Sequence, residues 1–318
     1  MTAYILRRIV HLIPVLLLVS AIVFFVFHVI PGDAAVLMLY TGGGEKIDPE
    51  ALAELRRAMG LDQPLYIQYL VWLANALHGD LGVSYINQQP VVSLLLEKLP
   101  ASLELGLVGM LVSMLISIPV GIISALKRGS WLDQVVRLLA LLGFCMPRYW
   151  LAVLLIMLLA VGARWFPAAG YVSPLEDPAT NLHHLILPML SVAITLAATQ
   201  MRFLRSSLLD VIGQDYIRTA QAKGLAYRLV ILRHALKNAL IPFVTVVGLG
   251  LGHMLGGLVI IEQIFSWPGV GWLMMQSITQ RDYAVVQGAV LLITVAFVAI
   301  NLLVDIIYAF LDPRIRYS

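Results

Sequence analysis

A few polar side chains interrupt the long apolar stretches of this sequence, and they limit the chemistry that the chain can perform. Arg148 follows Pro147 in CMPRYW, Gln200 lies near the end of another apolar stretch, and His253 lies in GLGLGHMLGG. An arginine can bind a carboxylate through two parallel hydrogen bonds. We therefore predict that Arg148 and Pro147 face a path for an anionic group, with Gln200 and His253 as weaker candidates. An internal ion pair or a snorkelling side chain is the structural alternative for Arg148.

Catalytic and metal-binding motifs receive no support from the sequence. The apolar stretches contain no paired carboxylates and no H-E-x-x-H, which argues against an intramembrane enzyme. GGGEK at residues 42–46 lacks the spacing of a nucleotide phosphate loop. His183 and His184 have no nearby acid or cysteine, and Cys145 is the only cysteine. We predict no catalytic residue, no metal site and no cofactor in this chain.

The composition places most of the chain in a membrane. Hydrophobic residues make up 60% of the 318 residues and charged residues only 12%. A helix needs about 20 apolar residues to cross the hydrocarbon core. Six stretches meet this requirement and predict an all-α membrane protein with six transmembrane helices: Ile9–Ile30, Leu103–Ala125, Val135–Val161, Leu185–Met201, Leu240–Ile261 and Val285–Leu311.

The distribution of positive charge predicts the orientation. With six spans both termini lie on one side, and that side carries 14 of the 21 Lys and Arg residues. Positive residues concentrate on the cytoplasmic side of membrane proteins. We therefore expect cytoplasmic N and C termini in an inner membrane. A nucleic-acid partner has no support.

Three regions follow from this topology. Residues 1–30 form the first span, residues 31–102 form an outer segment with short amphipathic helices, and residues 103–318 form a five-helix core. In the outer segment, Asp48 is predicted to cap a helix that begins at Pro49 and stops at Gly60. A second apolar helix after Pro64 is too short to span.

The most charged inner loop, residues 202–238, is predicted to contain a helix, a turn and a second helix. Asp215 can cap a helix that runs through Ala222, and Gly224 can end it in a left-handed conformation. The second helix would run from Tyr227 into the fifth span. A short basic helix with small residues such as Ala220 can dock in a groove of a soluble partner. A merely topogenic loop is the alternative.

Sequence motifs along nearly the whole chain resemble one family of membrane proteins. DYIRTAQAKG followed by HALKNALIP resembles the EAA-type motif of permeases in binding-protein-dependent ABC importers of the dipeptide, oligopeptide, nickel and glutathione group. ILRRIVHLIPVLLLVS, HVIPGD, GLDQPLYIQY, HGDLG, FSWPGVG, RDYAVVQG and NLLVDIIYAFLDPRIRYS resemble the same group in the same order. Gln221 replaces a commonly basic residue, and Ala284 replaces the usual proline.

The resemblance implies a type I ABC importer permease fold, a non-enzymatic transport subunit and a set of partners. These are a homologous second permease subunit, two ATPase subunits that bind ATP and Mg, a periplasmic binding protein facing the loop Glu262–Tyr283, and membrane lipid. It further implies that a coupling helix contacts the ATPase through Asp215, Tyr216, Arg218, Thr219, Ala222, Lys223 and Gly224.

The substrate stays open at the sequence level. Short peptides are favoured, because Arg148 suits a carboxylate and no nickel ligand cluster is evident. Nickel or a metal chelate and glutathione are the alternatives, since the motifs are shared by all these systems. An ion-coupled secondary carrier is a distant alternative. Such carriers are expected to have several buried acids at mid-depth, and Asp305 alone does not meet this requirement.

Overall fold

A computed structural model describes residues 2–29, 35–36, 39, 49–58 and 60–311. Within these residues the chain is helical, with no strand and one isolated bridge between Val83 and Pro90. The α-helices are α1 Thr2–Val29, α2 Pro49–Ala58, α3 Leu65–Leu77, α4 Val91–Leu126, α5 Trp131–Cys145, α6 Arg148–Leu155, α7 Pro178–Ile212, α8 Asp215–Ala222, α9 Tyr227–Leu229, α10 Leu236–Ile264, α11 Val270–Gln280 and α12 Tyr283–Leu311. Two π-helical segments, Ile156–Gly162 and Val230–Ala235, continue α6 and α9.

Five helices are long and apolar enough to cross a membrane, and the count reaches six if α5 and the segment Arg148–Gly162 form one broken span. This confirms the all-helical membrane class for the described residues. Apart from α5 and α6, the helices that match predicted apolar stretches are longer than those stretches. α4 has 36 residues and α7 has 35, so each is about 50 Å long and exceeds the roughly 30 Å hydrocarbon core.

The third predicted span is not one continuous helix. α5 ends at Cys145, α6 begins at Arg148, and the two axes differ by 107°. Pro147 precedes α6 with φ −60° and ψ 139°, and Met146 is also extended. Proline lacks an N–H and disfavours helical geometry in the preceding residue, which explains the break. Arg148 therefore lies at the start of a helix and not in the middle of one.

The chain divides into two compact units. The larger unit comprises residue 2 and residues 103–267 and 299–311 of the described chain, and α7 packs there against α5 and α10. Small residues allow this close approach: a Cβ at Gly143 would lie 3.1 Å from Cβ of Ala198. A Cβ at Gly248 in α10 would collide with the Val304 side chain. Gly248 therefore allows α10 and α12 to approach each other closely in this unit.

The smaller unit comprises the described parts of residues 3–102 and 268–298. α2 and α3 confirm the two short helices predicted in the outer segment, and Gly60 has the left-handed φ of +68°. The predicted cap Asp48 lies outside the described residues. Asp282 is buried and accepts hydrogen bonds from the Ser84 hydroxyl and the Tyr85 backbone N–H. This contact ties the loop before α4 to the start of α12.

Candidate functional site

The helix α8 is the predicted coupling helix, and its bounds Asp215–Ala222 agree with the prediction. Its first turn differs in one detail. Gln214 is the N-cap, with φ −76° and ψ 149°, and no side chain caps the helix. Asp215 is therefore the first helical residue, where its carboxylate is favourable beside the positive end of the helix dipole. Its carboxylate also lies 3.4 Å from the Arg218 guanidinium, in an exposed pair that contributes little stability.

All seven residues of the predicted ATPase-coupling set are exposed. Asp215 and Arg218 are the most open, with side chains 95% and 73% exposed. The Tyr216 ring is 43% exposed. Together the seven residues form a charged and polar outward face, which we call the coupling face: Asp215, Tyr216, Arg218, Thr219, Ala222, Lys223 and Gly224.

The opposite side of α8 is anchored to the larger unit. Ile217 and Ala220 are buried at 1% and 9% exposure, and α8 packs against the π-helical segment Val230–Ala235. The interpretation of Ala220 as part of a docking surface is therefore wrong, because the chain itself covers this residue. The spacing of Ile217 and Ala220, three positions apart, is the helical signal that marks a buried side.

A hydrogen bond that the sequence did not indicate joins α8 to α10. The Asn238 amide donates to the Tyr216 hydroxyl over 2.8 Å, and Asn238 also donates to the His234 carbonyl oxygen over 3.1 Å. Tyr216 and Asn238 are 22 residues apart, so no local pattern pairs them. This contact and the buried residues hold α8 against the start of the fifth candidate span.

Gly224 ends the α8 segment as predicted. Its φ is +80°, and its N–H donates to the Gln221 carbonyl oxygen over 2.9 Å. Residues with a side chain rarely adopt this backbone conformation, whereas glycine does so without steric cost. A Cβ at this position would meet no other atom within 4 Å. The glycine is therefore required by backbone conformation and not by space. After it, the chain re-enters a helix at Tyr227, as the sequence predicts.

Arg148 lies against α10 in the larger unit. Its guanidinium occupies the space where a Cβ of Gly257 would be, so that a glycine at 257 makes room for it. Among the residues that the structure describes, Arg148 forms no ion pair with an acid. An internal ion pair, which is the structural alternative for Arg148, therefore has no acid partner in this part of the chain. Pro147 beside it is exposed.

Gln200 is buried at 1% exposure between α4 and α7. Its Oε1 accepts hydrogen bonds from the hydroxyls of Ser113 and Ser117, over 3.1 and 2.9 Å. Such interhelical hydrogen bonds hold transmembrane helices together. In this conformation Gln200 connects two helices and does not face an open path.

The three histidines that the sequence analysis singled out lie in different surroundings. His253 lies in α10, and its side chain is outside the described part of the structure. One ring nitrogen of His183 lies 2.8 Å from the Trp165 carbonyl oxygen, and one of His184 lies 2.9 Å from the Thr180 carbonyl oxygen. Each ring is thus engaged with the backbone of the same unit.

Family models match almost the whole chain. Residues 117–317 match the inner membrane component of binding-protein-dependent transport systems, and residues 1–106 match the N-terminal part of a membrane component of such systems. Peptide transport system permease proteins of Brucella abortus and Brucella suis are each 43% identical to this chain over 318 residues, the full length of both proteins. A glutathione transport system permease protein of Salmonella typhi is 39% identical over the same length. The chain is therefore a multi-pass membrane protein that belongs to the permease subunits of binding-protein-dependent ABC importers.

Proposed function

We propose that this permease moves short peptides across the inner membrane and that its coupling face docks on an ATPase subunit. A periplasmic binding protein delivers the peptide, and a second, homologous permease subunit completes the path. Two ATPase subunits hydrolyse ATP on the cytoplasmic side of the membrane. The N and C termini of this chain lie in the cytoplasm, on the same side as α8.

The coupling face carries this proposal. It lies on a short helix whose other side is buried through Ile217 and Ala220. A helix anchored in this way offers a fixed surface to a groove in a soluble partner. Its charges come from Asp215 at one end and from Arg218 and Lys223 further along, so that electrostatic complementarity can select the partner and its register.

The anchoring also explains how a movement could pass into the membrane. When the ATPase pair closes on ATP, it displaces α8. Because Tyr216 is hydrogen-bonded to Asn238 in α10, and Ile217 is buried, α8 cannot move independently of the segment that leads into α10. The displacement then biases the equilibrium between inward-facing and outward-facing states. Outward opening receives the peptide, and return after hydrolysis releases it inside.

Peptides are the favoured substrate class because Arg148 suits a carboxylate. Its guanidinium has no acid partner among the described residues and lies beside Gly257, which leaves its donors available for a ligand. The relatives with 43% identity are named as peptide permeases. Glutathione is the second candidate, because a relative with 39% identity is named as a glutathione permease.

The first experiment compares Gly224→Asp with Gly79→Asp in the reconstituted transporter. Both glycines have a left-handed φ, +80° and +86°, and both face open space. Each substitution adds one negative charge and a similar backbone strain of about 1 kcal/mol. The two variants therefore differ in location and not in type of change. Substrate-stimulated ATP hydrolysis and ATPase co-purification are measured for both.

We expect Gly224→Asp to lose ATPase docking or stimulation, and Gly79→Asp to retain both. Equal retention in the two variants means that the loop is topogenic and that the coupling assignment is wrong. Equal loss means that left-handed strain alone disables the transporter. In that case the coupling face is tested instead with Arg218→Glu, which changes an exposed side chain without changing the backbone requirement.

The role of Arg148 is tested by peptide uptake with Arg148→Met and Arg148→Lys. Uptake of a peptide with a free carboxylate is expected to fall strongly in the methionine variant and partly in the lysine variant, because lysine keeps the charge but loses the two-pronged geometry. In the parent protein, a peptide amidated at its C-terminus should be taken up less than the same peptide with a free carboxylate. In Arg148→Met this difference in uptake should disappear. Unchanged uptake and unchanged preference in both variants would reject the substrate contact.

A further inference from the structure

A cavity of about 480 Å³ lies between α5 and α7 in the larger unit. This volume is within the range of roughly 300–1,000 Å³ that is typical of small-molecule sites. Its lining consists of three arginines, one serine and two apolar residues: Arg137, Leu141, Arg202, Phe203, Arg205 and Ser206. We refer to it as the arginine cavity.

The positive charge of the arginine cavity is only partly balanced. Asp133 is the carboxylate beside it, and Arg205 holds both of its oxygens, with two N–O distances of 2.9 Å. Arg137 approaches the same carboxylate only to 3.8 Å and its side chain is 54% exposed. Among the described residues, the ion pairs of the arginine cavity thus involve one carboxylate, that of Asp133, and two of the three arginines.

Arg202 is the arginine that most clearly lacks an acid. Among the described residues it forms no ion pair, and its guanidinium carbon lies 4.9 Å above the centre of the Phe144 ring. A cation over an aromatic face keeps its hydrogen-bond donors at the edge of the guanidinium plane. Those donors remain available to an anion.

The surroundings of the cavity are apolar and exposed. Leu141 and Phe203 in its lining are 52% and 51% exposed, and Leu138 on the same helix as Leu141 is 57% exposed. These residues lie on the helices of two candidate spans. Exposed apolar side chains next to unbalanced arginines match a molecule that is apolar along most of its length and anionic at one end.

We propose that the arginine cavity binds the phosphate-bearing headgroup of an anionic phospholipid, with the acyl chains against Leu141 and Phe203. Arginine pairs with phosphate oxygens through two parallel hydrogen bonds, and basic pockets between transmembrane helices suit anionic headgroups. The Ser206 hydroxyl can donate a further hydrogen bond. In the proposed orientation the site faces the cytoplasmic leaflet, but the chemistry of the cavity does not depend on that orientation or on the transported substrate.

The experiment uses the assembled transporter in nanodiscs of phosphatidylcholine with or without phosphatidylglycerol. After transfer to detergent and washing, mass spectrometry counts the phosphatidylglycerol molecules retained per transporter. The test variant is Arg137→Gln with Arg202→Gln, which leaves the Arg205–Asp133 pair intact. The matched control is Arg164→Gln, because Arg164 is an exposed arginine of the same unit outside the cavity.

We expect phosphatidylglycerol binding to weaken by about fivefold for each arginine removed from the cavity. The control should bind like the parent protein, and added salt should weaken binding in both. Equal retention in the double variant and the parent overturns the proposal. Displacement of the lipid by an equal concentration of inorganic phosphate also overturns it, since the site would then be one for free anions. Loss of the second permease subunit in the double variant would identify the cavity as a subunit interface and reject the lipid.

Discussion

Replacing Asp133 with asparagine tests the buried ion pair that joins α4, α5 and α7 in the larger unit. Asp133 is 1% exposed and accepts hydrogen bonds from the Ser124 hydroxyl over 2.6 Å and the Gly129 N–H over 3.0 Å. Its two oxygens also accept from Nε and Nη2 of Arg205. The substitution keeps the shape of the side chain but removes its charge.

The expected loss of stability follows from the arginine that remains without its partner after the substitution. Arg205 is only 19% exposed, so its charge would stay largely buried without a counterion. Breaking a buried ion pair by removing one partner costs about 3–5 kcal/mol. We expect about 3 kcal/mol here, because the asparagine oxygen still accepts one or two of the four hydrogen bonds. The unfolding temperature should then fall by about 6–12 °C.

Thermal unfolding of the purified permease in detergent measures this effect. Arg137→Gln is the control, because Arg137 approaches the same carboxylate at 3.8 Å with an exposed side chain and should contribute no more than about 0.5 kcal/mol. The double variant Asp133→Asn with Arg205→Met should be hardly less stable than either single variant, since the two residues act as one unit. Additive losses in the double variant would refute the buried pair as the source of the stability.

Two further predictions address residues in the two units. Gln200→Leu should lower the free energy of unfolding by only about 1 kcal/mol, because the hydroxyls of Ser113 and Ser117 can donate instead to carbonyl oxygens of their own helix. Substrate preference in uptake assays should not change, and a changed preference at equal stability would restore Gln200 to the substrate path. In the smaller unit, burial and then the Asp282 charge raise the pKa of Tyr85 from 10.0 to about 12. The folded protein thus holds this proton longer than the unfolded chain, so thermal stability should decline as the pH rises from 10 to 12, and Tyr85→Phe should remove that part of the decline. An identical decline of thermal stability in the parent protein and in Tyr85→Phe would contradict this prediction.

The helices could be predicted because lipid imposes a simple length requirement on apolar stretches. Their ends could not, because helices continue through residues that hydropathy counts as polar. α7 begins at Pro178, where the Asp177 side chain accepts from the backbone N–H groups of Ala179 and Thr180. That sequence carries the ordinary signal of a helix start, with an acid at the N-cap and proline next to it. The predicted span began seven residues later because only apolar residues were considered.

Helix α8 was the most predictable part of the candidate site, because its signals are local. A helix that stops at a left-handed glycine can be recognised within ten residues. The hydrogen bond that helps to anchor the same helix could not be recognised, because Tyr216 and Asn238 are separated by a turn and a π-helical segment. Pro147 indicates from the sequence where the third predicted span is interrupted. The angle of 107° between the two helix axes could not be predicted, because the packing of neighbouring helices determines it.

Gln200, Arg202 and Arg205 show why polar residues in a membrane sequence are ambiguous. They lie within six positions on α7, yet Gln200 is buried against serines of α4, Arg205 is paired with Asp133 of α5, and Arg202 is left beside an open cavity. A polar side chain at membrane depth requires a partner, and the sequence states only this requirement. The partners of Gln200 and Arg205 come from residues more than 70 positions away. Because those two requirements are met within the chain, Arg202 becomes the residue of this helix from which a ligand can be inferred.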